Sequence, residues 1–113
     1  MLWQVHGNIK QLPLRFSTSG SNTIITAPTT CNMMIHGLVL IPSADVTVKI
    51  YLGARNIVDM DLKQYMTYSS DDFPGIDGQG MWECKIGEAF IINLSSAVSV
   101  TGGVDYSYVD ATL

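Results

Sequence analysis

Residues 45–52 read D-V-T-V-K-I-Y-L. Val46, Val48, Ile50 and Leu52 occupy every second position, with Thr47, Lys49 and Tyr51 between them. A β-strand points successive side chains to opposite faces, so this stretch predicts a strand with one apolar and one polar face. A helix would need apolar residues three and four apart, and no stretch sustains that spacing with caps. The nearest approach, residues 60–68, is short and rich in Tyr, Thr and Asp.

The same alternation returns near the C-terminus. Val98, Val100, Val104, Tyr106 and Tyr108 share one parity; Ser99, Thr101, Asp105 and Ser107 share the other. Gly102-Gly103 interrupts the pattern and predicts a bulge or a close backbone approach. Turn-forming clusters punctuate the chain at 19–22, 27–30, 42–45, 53–56, 87–88 and 95–97. Short runs between frequent turns predict an all-β fold of antiparallel strands, a jelly-roll-like β-sandwich of about eight short strands.

Two runs are apolar at both parities. In residues 31–41, Met33, Ile35, Val39 and Ile41 alternate with Met34, His36, Leu38 and Leu40. In residues 89–94, Phe90, Ile92 and Leu94 alternate with Ala89 and Ile91. A second apolar face needs its own cover, either the N-terminal segment or another subunit. Met34, Leu38, Leu40 and Ile91 are the candidate oligomer contacts on the second of these readings.

Residues 1–20 differ in style from the sandwich expected over 21–113. Trp3, Val5, Ile9, Leu12 and Leu14 sit among polar residues, and the small polar stretch 17–21 follows. This segment reads as an arm or as a first strand. As an arm, it makes Trp3, Val5, Ile9 and Leu12 candidate attachment residues for a partner.

Composition narrows the function. The 113 residues are 47% apolar and only 14% charged, against ~25% charged in an average soluble domain. So few charges give little polar cover and favour a surface hidden by a partner. Six cations against ten acids give a net charge of −4, and the cations are scattered. Nucleic acid and anionic membranes need clustered cations, so neither is an expected partner. The longest apolar stretch, 33–41, falls short of the ~20 residues of a membrane span. The opening residues lack the layout of a secretory signal, so folding in the cytosol is expected, with Cys31 and Cys84 as free buried thiols.

No catalytic or cofactor pattern emerges. Asp71, Asp72 and Asp77 lie in a Gly-rich loop, but an EF-hand alignment through Gly78 puts Phe73 at position one and Cys84 at twelve, so the motif fails. Its glycines run G-x-x-G-x-G, the wrong order for a dinucleotide fingerprint. Cys31 and His36 lie five apart on an expected strand and face opposite ways, against a shared zinc site. The chain has no nucleophile elbow and no Cys/His pairing. Asp59 and Asp61 share a strand face, but a solvated face explains them better than a glycosidase pair. The expectation is therefore a non-enzyme without metal or cofactor.

From residue 14 to 109 the chain resembles small virion proteins of tailed bacteriophages. The features that carry the likeness are S-T-S-G-S-N-T-I-I-T-A-P at 17–28, I-H-G-L-V-L-I at 35–41, A-D-V-T-V-K-I-Y-L-G at 44–53 and the closing W-E-C-K-I-G-E-A-F-I-I-N-L-S-S-A-V-S-V-T-G-G-V-D-Y at 82–106. The resemblance implies a jelly-roll or related sandwich that decorates or cements a capsid. It implies a homotrimer on the outer surface of the head, with the major capsid protein or a neighbouring virion protein as partner. Other members form fibre or spike heads, which would make Tyr65, Tyr68, Phe73 and Trp82 candidates for binding a host glycan. This chain departs from the pattern in its middle, 59–80, and at Cys84, where Thr is commoner.

Overall fold

The computed structural model describes residues 5–71 and 82–109. They form β1 (Val5–Phe16), β2 (Gly20–Thr26), β3 (Asn32–Pro42), β4 (Val46–Leu52), β5 (Arg55–Leu62), β6 (Tyr68–Asp71), β7 (Trp82–Cys84), β8 (Ala89–Leu94) and β9 (Val100–Val109). One sheet has the order β1-β9-β3-β6, with β7 also on β3, and the other the order β2-β8-β4-β5. Every pairing is antiparallel.

This order is a jelly roll. Since β6 and β7 both pair with β3, they fill one strand position between them, which leaves eight positions. First then pairs with eighth, second with seventh, third with sixth and fourth with fifth. A long antiparallel hairpin rolled on itself so that alternate pairs fall in alternate sheets gives that arrangement. The N-terminal segment is the first of these positions: β1 runs along β9 from Val5↔Val109 to Phe16↔Val100. Leu14 belongs to the core, and Leu12 and Phe16 pack against it.

The core lies between the sheets. From one side come Val46, Val48, Ile50 and Leu52 of β4 with Phe90, Ile92 and Leu94 of β8. From the other come Met33, Ile35, Leu38 and Leu40 of β3 with Val100 and Val104 of β9. In β4 burial alternates as the sequence pattern dictates, with Lys49 exposed between buried neighbours. In β3 it does not. Ile35 pairs with Tyr106 but Gly37 pairs with Asp105, so β3 advances two residues while β9 advances one. His36 is the extra residue of a β-bulge, and a bulge reverses the parity of everything beyond it. Leu38 and Leu40 therefore join Met33 and Ile35 in the core, a correction to the single parity read from the sequence.

The glycine pair is not the bulge. Gly102 and Gly103 lie in unbroken register with β1 and β3. Gly102 is instead a close approach: at φ +156°, a Cβ there would lie 1.8 Å from the carbonyl oxygen of Val39.

Candidate functional site

The four residues expected at an oligomer contact separate into three environments. Leu38 and Leu40 are 1% and 0% exposed within one chain, so they fill the core and have no surface to offer a second subunit. Met34 is buried beside β9, opposite Ser107. Ile91 lies on the outer face of the other sheet, half-buried, paired with Tyr51 on one side and Thr23 on the other.

The attachment residues share β1. Trp3 lies outside the described residues. Val5 is placed by its backbone register against Val109. Ile9 is 51% exposed, one of the large apolar side chains of the described residues left in water, and Leu12 is half-buried against the core. Among the described residues β1 pairs only with β9, so its other side is a sheet edge. Pro13 sits in that edge, opposite Gly103. Proline has no N–H to give a ladder and is confined to edges, where it also blunts uncontrolled strand addition. Between the edges of β1 and β2 runs an open groove of about 450 Å³, whose walls include Leu12, Leu14, Phe16, Asn22 and Ile24.

The aromatic set divides likewise. Tyr68 and Trp82 pack against the core, Trp82 with its ring centroid 6.3 Å from that of Phe90. Tyr65 is 70% exposed in the loop after β5 and has φ +59°, a left-handed conformation that a bulky residue rarely adopts. Three hydrogen bonds hold that loop: the Tyr65 amide donates to the Pro42 carbonyl, the Gln64 amide to Asp45 Oδ1 and the Met66 amide to the Lys63 carbonyl. Phe73 lies outside the described residues, as do Asp72 and Asp77. Asp71 ends β6. No group of three or more His, Cys, Asp or Glu positioned for a metal ion occurs among the described residues.

Two polar features were invisible in the sequence because each depends on a side-chain partner far along it. His36 Nε2 and Ser107 Oγ are hydrogen-bonded at 2.6 Å, 71 residues apart. A Ser–His pair is the beginning of a hydrolytic dyad. Here Ser107 has no exposure and His36 only 5%, so the hydroxyl is closed to substrate and the pair ties β3 to β9 at the bulge. The second feature is a corner built on Glu88. Its Oε1 accepts from Arg55 Nη2 at 2.6 Å and from the Lys85 amide at 2.8 Å, while Arg55 also donates to the Glu83 carbonyl. Burial acts to raise the Glu88 carboxyl, but these donors outweigh it and hold the group below its ordinary value. Burial also pushes the Cys84 thiol up to about 12, with Glu88 adding to the rise, so the thiol stays protonated and unreactive.

The chain matches no protein-family model, and no curated protein matches it significantly. Among solved structures it is similar to the cryo-EM structure of the virus-like particle of the extra small virus of the giant freshwater prawn Macrobrachium rosenbergii. The identity is 15% and the TM-score 0.43, over 100% of this chain and 85% of that one.

Proposed function

We propose that this chain is a structural virion protein, a decoration or cement subunit that binds the outside of an assembled phage head as a homotrimer. The observation that carries this reading is β1: a twelve-residue strand at an open sheet edge that leaves Ile9 half in water. Such an edge suits strand addition by a neighbouring protein, where backbone hydrogen bonds hold the partner and side chains select it. The jelly roll hosts capsid subunits and lectins alike, so the fold is compatible with the role without selecting it. Stabilisation follows from linkage. A subunit that binds the assembled shell and not its separate parts shifts assembly towards the shell. This role needs no catalysis, cofactor, nucleic acid or membrane. The partners are other copies of the chain and the major capsid protein or a neighbouring virion protein.

The test is cosedimentation of the purified chain with phage heads that lack it. Wild type should saturate the heads at a fixed copy number, and Ile9→Asp should bind at least about tenfold more weakly because it places a charge in the apolar contact. Heads that take up neither protein overturn the reading.

Tyr65 favours a second reading, a fibre or spike head that recognises a host glycan. An exposed aromatic ring held in an unfavourable backbone conformation is a stacking surface for a sugar. Retention of the chain by a glycan array, abolished by Tyr65→Ala, would support it over the first.

A further inference from the structure

We infer that the partner lays an extended segment along β1, with alternate apolar side chains seated in the groove between β1 and β2 and a carboxylate on its other face opposite Arg15. This rests on the proposed virion role and keeps the same neighbouring virion protein at the β1 edge. What it adds is the seat and the chemistry of the segment that binds there.

The two edges beside the groove are unequal. Among the described residues β2 pairs only with β8, and it carries a bulge: Thr23 pairs with Ile91 but Ile25 pairs with Phe90, so Ile24 is the extra residue. A bulge twists an edge away from further pairing. β1 keeps unbroken register with β9 from Lys10 to Phe16, so its edge is the one that takes a new ladder. Pro13 removes one donor from that edge, so backbone bonds alone hold weakly and side chains must select the partner.

The side chains of an added strand alternate between the two faces that β1 defines. Leu12, Leu14 and Phe16 share the inner face; Leu14 is in the core, and half-buried Leu12 and Phe16 pack against it. Inward side chains of the added strand enter the groove of about 450 Å³ over these residues, with Ile24 on the facing wall. The polar group of that wall is already engaged: Asn22 Nδ2 donates to the carbonyls of Thr18, Gly20 and Ile92. An apolar side chain covers Leu12, Phe16 and Ile24, whereas a charged one would be buried there without a partner.

Gln11, Pro13 and Arg15 share the outer face of β1, all exposed. Arg15 is the one charged residue lining the groove, and it forms no ion pair among the described residues. On β9, Thr101 lies opposite Arg15, and Asp105 lies opposite Gln11, too far along the strand to serve it. A carboxylate opposite Arg15 on the added strand supplies the cross-strand pair that β9 does not. Lys10 is outside the groove lining and plays no part. The segment therefore carries apolar residues opposite Leu14 and Phe16, with Asp or Glu between them.

A photo-crosslinking amino acid at Ser21, an exposed residue of the β2 wall, tests this on phage heads that lack the chain. On saturated heads it should capture a head protein, at a segment with apolar residues two apart and an acid between them. Ile24→Asp should weaken head binding at least about tenfold. Arg15→Glu should weaken it about three- to tenfold, with the loss reduced at high salt. Circular dichroism of both variants should match wild type, and the capture does not depend on either of them. Capture of a second copy, capture within the same chain, a captured segment without that pattern, or no capture on saturated heads overturns the inference and leaves the virion role standing. Arg15→Glu binding as tightly as wild type overturns the carboxylate. Heads that take up no wild-type chain overturn both the role and the inference that rests on it.

Discussion

β4 and β3 line the same core from opposite sheets, yet their sequences encode that task differently. In β4 alternation alone suffices: four aliphatic residues enter the core and Lys49 stays in water. β3 is apolar at both parities and changes face midway, at His36. A strand with one polar face fixes its own register, because a one-residue slip would bury charge. A strand with two apolar faces has no such guard, and its register must be set by its neighbours. Two contacts with β9 do this: the His36–Ser107 bond at the bulge and the close approach at Gly102.

The largest expected effect is at Gly102. A side chain there would meet the Val39 carbonyl, part of the backbone of β3, which cannot move without breaking the ladder. Gly102→Val should cost about 3–5 kcal/mol in urea unfolding, in the range of severe overpacking. Gly103→Val, where a Cβ would lie 3.6 Å from the Leu12 carbonyl, should cost far less. Equal losses at the two glycines would mean that the strands are not locked at Gly102.

The bulge itself can be read by truncating consecutive residues. Leu38→Ala removes a fully buried side chain and should cost about 2–5 kcal/mol, whereas half-buried Val39→Ala should cost about 1 kcal/mol or less. In β4 the corresponding pair is Val48, large in effect, and Thr47, small. If Val39 proved the costlier of its pair, the parity of β3 would run straight through His36.

This contrast explains how far the sequence alone could be read. Val46, Val48, Ile50 and Leu52 were legible because each polar residue between them confirms the period. The strand order was legible only as a class, since turns mark where strands end and not which strands pair. The bulge left no mark: residues 31–41 read as apolar whether or not the parity changes. Leu38 and Leu40 therefore read as facing the same way as Met34, whereas both lie in the core. The polar contacts at His36 and Glu88 depend on residues brought together by the roll, and neither has a local motif. Ile9 was legible as an apolar residue without a local reason for burial, and the structure leaves it 51% exposed.

A smaller effect probes the bond at the bulge. Ser107→Ala deletes the buried hydroxyl bonded to His36 Nε2 and should cost about 1 kcal/mol, the usual net contribution of one hydrogen bond. Ser95→Ala, which removes an exposed hydroxyl that accepts from the Thr47 amide, is the matching change beside β4 and should cost about 0.5 kcal/mol. A Ser107 loss no greater than that of Ser95 would show that the bulge holds its register without the bond.

The smallest effect lies at the corner beyond β4, where Arg55 and Glu88 meet with side chains 50% and 26% exposed. An exposed ion pair contributes about 0.2–1 kcal/mol, so the Glu88 share of the Arg55→Ala loss should be no more than that near neutral pH. The pH dependence separates its two bonds. The Glu88 carboxyl titrates below its ordinary value in the folded chain, so the folded state binds fewer protons there than the unfolded state. Its contribution is present above the ordinary carboxylate range and is lost as pH falls through the lowered value. The hydrogen bond from Arg55 to the Glu83 carbonyl involves no titrating acceptor and persists in acid. Urea midpoints of wild type and Arg55→Ala should therefore converge as pH drops below about 4, leaving a remainder that measures the carbonyl bond. A difference independent of pH would mean that Arg55 acts through the Glu83 carbonyl alone, and that the Lys85 amide is what holds the Glu88 carboxylate in place.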